Sequence, residues 1–312
     1  MKLVTYLHGE ACRLGVVSDG RPGIGSDGHL VNLGQAWAAY QESTADSVRL
    51  ECPADMGALL QSGEETWRRL ASVVAWAQAL PVTAADTLWR PLDGVRLAAP
   101  LANPSKIVCV GLNYHDHCRE QGLDVPQRPI LFAKFPSTII GHEAEITWPG
   151  DLSQQVDYEA ELAVVIGRRG RHIPVDEAYR YVAGYTNLND VSARDVQFAD
   201  EQWVRGKSFD TFCPLGPYLV TADEVPDPHD LRIRCWVNGE LRQDSNTREL
   251  VFNVPQLVAY ISRTCTLMPG DIISTGTPGG VGVFREPPVF LQPGDVVEVE
   301  IDRLGRLRNR VR

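Results

Sequence analysis

The sequence predicts an α+β protein in which a β-rich domain follows a small α/β N-terminal domain. After residue 104, short runs of alternating apolar and polar residues dominate, and few segments have helical spacing. Before residue 98, three strand-like runs precede two segments of helical spacing. The Pro-rich segment PLDGVRLAAPLANP, from Pro91 to Pro104, lies between them, so we expect domains at 1–98 and 104–312.

Composition argues against several function classes. The 312 residues carry a formal net charge of −10 and no basic stripe, so a nucleic-acid partner is not expected. No apolar run approaches the length of a membrane span, and the N-terminal residues lack the apolar core of a signal peptide. The seven Cys are dispersed without zinc-ligand spacing, as is typical of a reducing compartment. We therefore expect a cytoplasmic protein without a membrane partner.

The first 98 residues predict a packing module. Residues 1–7, 12–18 and 29–33 have strand patterns, and a Gly-rich turn runs from Arg21 to Gly28. Helical spacing of apolar residues follows at Leu33–Tyr40 and Glu64–Ala79. This part has no cluster of catalytic residue types, so its aromatic residues are expected in the core or in subunit contacts.

The first candidate catalytic pair follows a predicted buried strand. KIVCVGLNY (106–114) has the pattern of a strand, and HDHCRE (115–120) continues as a helix. His117 and Glu120 would be neighbours on that helix, where the carboxylate would fix the imidazole tautomer and raise its basicity. Such a pair suits a general base for water, and the following loop, 121–129, suits a lid. A surface ion pair is the commoner arrangement, and His115 is an alternative imidazole.

Two acidic residues mark the candidate metal site. In VDYEAELAVVIG (156–167), strand alternation puts Glu159 and Glu161 on one face, ~7 Å apart along the backbone. Like charges this close repel unless a cation lies between them, and Mg²⁺ takes a few carboxylates with water or substrate as its other ligands. A third carboxylate, Asp190, ends the predicted strand TNLND (186–190). The alternative is a solvated strand face without a metal.

The segment after Asp190 contains two side chains suited to anion binding. Arg194 and Gln197 follow Asp190 by four and seven residues, so a helix that begins there would carry all three on one face. An Arg and an amide can together hold a carboxylate. The alternative is a salt bridge from Arg194 to Asp195 or to Asp190.

Lysine is scarce in this chain and occurs only at positions 2, 106, 134 and 207. Lys134 lies in FAKFPS near the end of the strand-like run 129–141, and Lys207 lies in the Gly-flanked turn RGKSFD. A sequence that otherwise uses Arg favours a chemical role for these two residues. Ordinary surface charge is the alternative.

The remaining elements follow common patterns. Residues 173–185 predict a short helix that begins at Pro174 or Asp176 and ends at Gly184. Residues 231–245 predict a β-hairpin around the turn Asn238-Gly239, and 251–267 predict an amphipathic helix. Residues 271–282 predict a strand and a Gly-rich loop without the Lys of a phosphate-binding P-loop, so nucleotide binding is not expected. Residues 291–311 predict a terminal hairpin.

Seven segments of the chain together resemble the fumarylacetoacetate hydrolase family. In family order they are GLNYHDHCRE, PILFAKFPS, DYEAELAVVIG, NDVSARDVQ, RGKSFDTFCPLGP, VNGELRQDSNT and GDIISTGTPGGVG, within 104–283. The chain looks like a bacterial two-domain member, similar to acylpyruvate and fumarylpyruvate hydrolases and to 2-hydroxyhepta-2,4-diene-1,7-dioate isomerases. The resemblance implies a mixed β-sandwich roll, a homodimer, and Mg²⁺, Mn²⁺ or Ca²⁺ for chemistry on a 2-oxo acid substrate.

The resemblance also implies roles for ten residues. By motif, the metal ligands would be Glu159, Glu161 and Asp190, the substrate contacts Lys134, Arg194, Gln197 and Thr277, and the catalytic residues His117, Glu120 and Lys207. In the implied hydrolysis of a 2,4-dioxo acid, the metal stabilises the enolate that leaves when the C–C bond breaks. The His–Glu pair would deprotonate the attacking water, and the lysine would stabilise the oxyanion. Specificity is expected from 121–128, 199–204 and 283–289.

The enolate chemistry of the family also serves other reactions, so the reaction stays open. Decarboxylation of oxaloacetate-like acids and isomerisation of hydroxymuconate-type dienes are the alternatives within the family. Isomerases of the family often lack the His–Glu pair, so His117 and Glu120 favour a hydrolase or a decarboxylase. A non-catalytic binding protein is an alternative of another class, against which the intact acidic set and Lys207 argue.

Overall fold

Mixed β-sheets combined with short helices make up the chain, which confirms the α+β class. The computed structural model describes residues 1–18, 28–44, 48–80 and 88–312. The Gly-rich turn predicted from Arg21 lies outside these ranges except for Gly28. No helix within them is long and apolar enough to cross a membrane.

The largest sheet joins strands from the N-terminal part of the chain to strands from its centre. In sheet order its main path is Trp89–Pro91, His29–Asn32, Ala11–Ser18, Lys2–His8, Cys213–Thr221, Val182–Asn189, Ala160–Ile166, Ile272–Ser274, Ile107–Gly111 and Ile130–Lys134. The short strands Leu97–Ala98 and Ile139–Ile140 pair with Lys2–His8 and Cys213–Thr221. Because most neighbouring strands are antiparallel and Ile272–Ser274 runs parallel to Ile107–Gly111, the sheet is mixed.

A second sheet contains both predicted hairpins. Its order is Glu240–Asn246, Arg232–Val237, Val296–Ile301, Gly305–Val311 and Glu145–Ile146. Asn238 and Gly239 have φ values of 55° and 79°, the left-handed values that a primed hairpin turn requires. The hairpin predicted from this dipeptide is therefore confirmed. A separate two-stranded sheet pairs Val156–Asp157 with Ser192–Ala193.

Most of the described helices are short, and the longest, Glu64–Ala79, has 16 residues. The α-helices are Leu33–Ser43, Met56–Gln61, Glu64–Ala79, His115–Glu120, Arg194–Ala199, Val204–Lys207 and Val254–Thr264. The 3₁₀-helices are Pro136–Thr138, Val175–Tyr181, Ala222–Glu224 and Thr247–Glu249. Helices are present where we predicted them at 33–40, 64–79, 115–120 and 251–267. Their observed bounds are Leu33–Ser43, Glu64–Ala79, His115–Glu120 and Val254–Thr264.

The N-terminal part and the rest of the chain share a sheet and a core. Leu3 lies opposite Leu219 where Lys2–His8 pairs with Cys213–Thr221. A buried apolar cluster combines Leu3 with Ala163 and Leu215. Both parts contribute strands to one sheet and residues to one buried cluster. The division into domains at 1–98 and 104–312 stays a prediction.

The strand predicted over 156–166 is interrupted. Val156–Asp157 pairs with Ser192–Ala193, whereas Ala160–Ile166 pairs with Val182–Asn189. Glu159 lies in the interruption between the two strands. The chain therefore changes sheets next to the first of the predicted metal ligands.

The helix predicted over 173–185 is wrong at its C-terminal end. It is a 3₁₀-helix, Val175–Tyr181, and Gly184 lies inside the strand Val182–Asn189. A Cβ on Gly184 would lie 2.1 Å from the carbonyl oxygen of Val220 on the neighbouring strand. The glycine permits close approach of two strands and does not end a helix.

Asp190, Arg194 and Gln197 do not share one helix, contrary to the expectation. The strand Ser192–Ala193 separates Asp190 from the helix, which begins at Arg194. Pairing with Val156–Asp157 holds residues 192 and 193 extended, so the helix starts four residues later than expected.

Candidate functional site

Three carboxylates converge where two neighbouring strands end. Ala160 lies opposite Asn189, so Glu159 and Asp190 flank the same edge of the large sheet. The N–H of Asp190 donates to the carbonyl oxygen of Glu159 at 2.9 Å. One carboxylate oxygen each of Glu159, Glu161 and Asp190 lies within 4.8 Å of the others, and all three residues are buried. A solvated strand face therefore does not describe them.

Glu161 is held by hydrogen bonds from a strand distant in sequence. The hydroxyl of Ser274 and the N–H of Gly276, the latter at 2.9 Å, donate to its Oε2. Burial raises the pKa of Glu161 well above its usual range, and the charges of Asp190 and Glu159 raise it further. Burial and the two neighbouring negative charges thus favour the protonated form of Glu161.

Two buried lysines contact the cluster from different sides. The ammonium of Lys207 lies 2.6 Å from Glu159 and 2.9 Å from Asp190. The ammonium of Lys134 donates to Asp190 at 2.6 Å, to the carbonyl of Val191 at 3.1 Å, and to the carbonyl of Lys207. Lys207 lines the cavity described below, and Lys134 lies behind Asp190 with its three contacts inside the protein.

Lys207 also sets the protonation of Glu159. Burial alone would raise the pKa of this carboxyl, but the positive charges of Lys207 and Arg194 lower it to about 2. Burial likewise opposes the charged form of Lys207, yet Asp190 and Glu159 raise the pKa of the ammonium above its ordinary value. At neutral pH the lysine is therefore positive and Glu159 is negative.

Arg194 connects the cluster to a buried acid that sequence reasoning missed. Its guanidinium lies 2.7 Å from Glu159 and 2.9 Å from Asp157, and it donates to Gln197 at 3.1 Å. The salt bridge considered as the alternative, to Asp195 or to Asp190, is not the arrangement found. Asp195 instead accepts hydrogen bonds from the residues at 153 and 154.

The donor set fits a hard divalent cation. Four buried carboxyl groups, including that of Asp157, face three buried cations, Lys134, Lys207 and Arg194, and Glu161 is the acid whose raised pKa favours a bound proton that a metal ion can replace. Oxygen ligands from carboxylates are those that Mg²⁺, Mn²⁺ and Ca²⁺ prefer. The raised pKa of Glu161 is the observation that supports an added positive charge at this point.

The predicted His–Glu pair lies on the helix that covers the cluster. His117 Nδ1 is 3.0 Å from Glu120 Oε2, and Glu120 Oε1 accepts from the N–H of Gly280 at 2.8 Å. The imidazole is 6% exposed and faces the cavity, so the surface ion pair does not describe it. His115 is half-buried and is not among the residues that line this cavity.

Seven of the ten predicted residues line a cavity of about 160 Å³, whereas Glu120, Lys134 and Asp190 do not. Its polar lining residues are His117, Gln121, Glu159, Glu161, Arg194, Gln197, Lys207 and Thr277. Its apolar lining residues are Val110, Leu112, Leu123, Phe132, Phe198, Trp203 and Phe284. Thr277 is oriented by Gln243, whose amide donates to its hydroxyl at 2.8 Å. Each segment expected to set specificity supplies a lining residue.

Sequence reasoning missed the aromatic wall and the residues that orient the acidic cluster. The rings of Phe132 and Trp203 meet edge to face at 5.3 Å between centroids. A Cβ on Gly111 would lie 2.5 Å from the Trp203 ring, so this glycine makes room for the wall. Asp157 precedes Glu159 by two residues in the segment predicted as one strand, and this spacing was the available signal.

Comparisons with known proteins agree with this architecture. Residues 106–312 match the model of the family described as fumarylacetoacetate hydrolase, C-terminal. Oxaloacetate tautomerase FAHD2B, mitochondrial, from Bos taurus is 53% identical over 263 residues, which cover 83% of this chain and 80% of the relative.

Two solved structures resemble the whole chain. Fumarylacetoacetate hydrolase from Exiguobacterium antarcticum has a TM-score of 0.79 at 36% identity, covering 100% of this chain and 99% of that one. Maleylpyruvate hydrolase from Sphingobium sp. SYK-6, solved with manganese(II) and pyruvate, has a TM-score of 0.74 at 31% identity, covering 100% and 98%.

Proposed function

The chain belongs to the fumarylacetoacetate hydrolase family, and from this premise we propose that it is a divalent-metal-dependent enzyme that interconverts the keto and enol forms of oxaloacetate-type 2-oxo acids. The observation that carries the proposal is the buried cluster of Glu159, Glu161 and Asp190 at a cavity lined by His117. The 53% identical relative is an oxaloacetate tautomerase by name, which supports oxaloacetate as the substrate.

Glu159, Glu161 and Asp190 would hold the metal ion, with Mg²⁺ as our first choice and Mn²⁺ or Ca²⁺ as alternatives. When bound, the divalent cation supplies positive charge that stabilises the enolate of a 2-oxo acid, a contribution of several kcal/mol. A divalent cation would replace the proton that the raised pKa of Glu161 favours and would balance the charge of its carboxylate.

The cavity residues suit recognition of a 2-oxo carboxylate. Arg194 and Gln197 line the cavity 3.1 Å from each other and can hold the C1 carboxylate through a guanidinium and an amide. Thr277 offers a hydroxyl, and Lys207 offers an ammonium beside the oxygen that becomes negative. Lys134 fits a positioning role, because it donates to Asp190 and lies behind the cavity.

His117 is the group suited to move the proton. Its imidazole takes a proton from C3, the C–H electron pair becomes the C2–C3 double bond, and the carbonyl pair moves to the 2-oxo oxygen. Protonation of that oxygen completes the enol, and the reverse sequence returns the ketone. Glu120 holds Nδ1–H at 3.0 Å, so Nε2 serves as the base. General acid–base catalysis of this kind typically contributes roughly 10²–10⁴-fold in rate.

Hydrolytic C–C cleavage, the reaction expected first from the sequence, is the second candidate. The close His117–Glu120 pair favours it, because a carboxylate-oriented imidazole can activate a water. The neighbouring structure named maleylpyruvate hydrolase is a more distant relative than the tautomerase. In this reaction the hydroxide adds to the C4 carbonyl, and the C3–C4 bond breaks with its electron pair on C3.

The test compares three reactions of the purified protein after EDTA treatment and after addition of Mg²⁺ or Mn²⁺. They are ketonisation of enol-oxaloacetate, cleavage of acetylpyruvate, and release of CO₂ from oxaloacetate. Glu161→Gln should abolish metal-dependent ketonisation, and Glu201→Gln, an exposed acid outside the cavity, should not.

The outcomes separate the candidate functions. Metal-dependent ketonisation faster than the other two reactions supports the proposal. Cleavage without ketonisation would make hydrolysis the function, and CO₂ release alone would make it decarboxylation. If none of the three reactions occurs while the metal is bound, the remaining candidate is a non-catalytic binding protein.

A further inference from the structure

His117 has a polar partner at each ring nitrogen. Nδ1 lies 3.0 Å from Glu120 Oε2, and Nε2 lies 2.8 Å from the amide nitrogen of Gln121. An ionised carboxylate only accepts hydrogen bonds, and an amide nitrogen only donates them. The ring proton therefore lies on Nδ1, and the lone pair of Nε2 accepts from Gln121. The nitrogen that would act as the base is covered by this amide.

The position of Gln121 is set by the fold around it. It follows the helix His115–Glu120, and its N–H bonds to the carbonyl oxygens of His117 and Arg119. Gly280 donates to Glu120 from the opposite loop at 2.8 Å and anchors the end of the helix. The centroid of the Phe284 ring lies 5.9 Å from that of the imidazole, and Gln121, His117 and Phe284 all line the cavity.

The hydrogen bond from Gln121 to Nε2 affects the access of water and of substrate to His117 differently. A hydrolase needs its base to hold a water within hydrogen-bond distance, and the Gln121 amide occupies that place on His117. A water that replaced the amide would exchange one hydrogen bond for a similar one and would also have to be ordered. A 2-oxo acid brings additional binding energy through its carboxylate, so it can displace the amide where a water gains nothing.

We propose that Gln121 is a specificity-determining residue that keeps a nucleophilic water off His117 and so directs the site to proton transfer and away from hydrolysis. The inference rests on the proposed function, in which His117 moves the C3 proton. Proton transfer consumes no water. Hydrolysis consumes one water, whose proton goes to His117 and whose hydroxide goes to the C4 carbonyl carbon.

The test changes the amide and keeps its volume. Gln121→Met removes the donor at nearly constant size, and Gln121→Ala also opens space for a water. Gln127→Met is the matched control, because Gln127 lies exposed in the same loop and does not line this cavity. The readout is the ratio of acetylpyruvate cleavage to enol-oxaloacetate ketonisation for the metal-loaded full chain.

Both Gln121 variants should raise this ratio roughly tenfold, since the ordering cost of one water is of that size. Gln127→Met should leave it at the wild-type value. An unchanged ratio in both Gln121 variants would overturn the proposal. A ratio that falls in both would overturn it as well, because the amide would then assist hydrolysis.

A second readout does not depend on activity. With ¹⁵N-labelled histidine, the Nε2 resonance of His117, assigned by its loss in His117→Asn, should move in Gln121→Met because the lone pair loses its donor. An unmoved resonance would overturn the proposal. If the wild-type protein does not ketonise oxaloacetate, the proposed function is wrong. The cleavage rates and the Nε2 resonance would still test whether Gln121 keeps water off His117.

Discussion

Asp157 joins the acidic cluster to the loop that closes the cavity. Its carboxylate accepts from Arg194 Nε at 2.9 Å and from the N–H groups of Gly282 and Val283 at 2.7 and 3.0 Å. The side chain is fully buried, so each of these contacts is made in a medium of low dielectric. One carboxylate thus orients the guanidinium at the substrate side and holds the backbone next to Phe284.

Asp157→Asn should lower the free energy of unfolding by about 3 kcal/mol, because it removes one charge of a buried ion pair. It should also raise KM for the 2-oxo acid, since Arg194 loses the charge of one of its two carboxylate partners and keeps only Glu159. Urea unfolding and steady-state kinetics measure both effects. Asp200→Asn removes an exposed ion pair with Arg205 and should leave the unfolding midpoint unchanged. Equal midpoints for the two variants would contradict the role given to Asp157.

At the scale of single residues, the acidic cluster could be predicted from the sequence, but the residues that surround it could not. Strand alternation pointed Glu159 and Glu161 the same way, and like charges in that position needed a reason. Ser274, which donates to Glu161, lies 113 residues further along the chain, and no local pattern links the two residues. Gln121 was predicted only as the first residue of a lid loop, because no sequence pattern links it to the ring nitrogen of His117.

At the scale of elements, patterns with a local cause were predicted correctly. The Asn238-Gly239 hairpin depends on two residues that tolerate positive φ, and the structure has that turn. The helix Val254–Thr264 carries its own capping box from Asn253 and Gln256. By contrast, the interruption of the strand at Glu159 follows from pairing with Ser192–Ala193, a contact that composition does not encode.

The loop from Gly276 to Arg285 packs closely against its neighbours at Gly282. A Cβ on Gly282 would lie 2.0 Å from the carbonyl oxygen of Val289 and 2.6 Å from Asp157 Oδ1. Gly282→Ala should therefore displace the loop and the Phe284 side of the cavity, with a loss in kcat/KM of about 10²-fold. The measurement is steady-state kinetics of enol-oxaloacetate ketonisation.

Gly279→Ala is the matched control in the same loop. Its Cβ would lie 3.5 Å from the nearest atom, an ordinary contact, so kcat/KM should stay near the wild-type value. Comparable activity in the two variants would show that the loop accommodates a side chain at Gly282, against the account.

At the scale of the whole molecule, one sheet crosses the predicted domain boundary. Lys2–His8 pairs with Cys213–Thr221, and Trp37 from the N-terminal part belongs to the same buried cluster as Ala163. Pro-rich composition between residues 91 and 104 suggested a linker, but composition does not report which strands pair across it. The homodimer and the cytoplasmic location stay predictions.

A fragment of residues 104–312 should fail to fold as a cooperative unit. Removal of the N-terminal strands would expose the edge of Cys213–Thr221 and the apolar cluster that contains Leu215. Size-exclusion chromatography and thermal circular dichroism of the fragment test this, with the full chain as the control. A soluble fragment with a cooperative melting transition would make 104–312 an independent domain.

The central claim, that the acidic cluster serves enolisation, is tested most directly by exchange of the C3 protons of oxaloacetate in D₂O, followed by NMR. With Mg²⁺ or Mn²⁺ the full chain should exchange these protons well above the uncatalysed rate, and EDTA or Glu161→Gln should return exchange to that background. Exchange at the background rate by the wild-type protein with metal bound would contradict the account, because tautomerisation requires removal of a C3 proton of oxaloacetate.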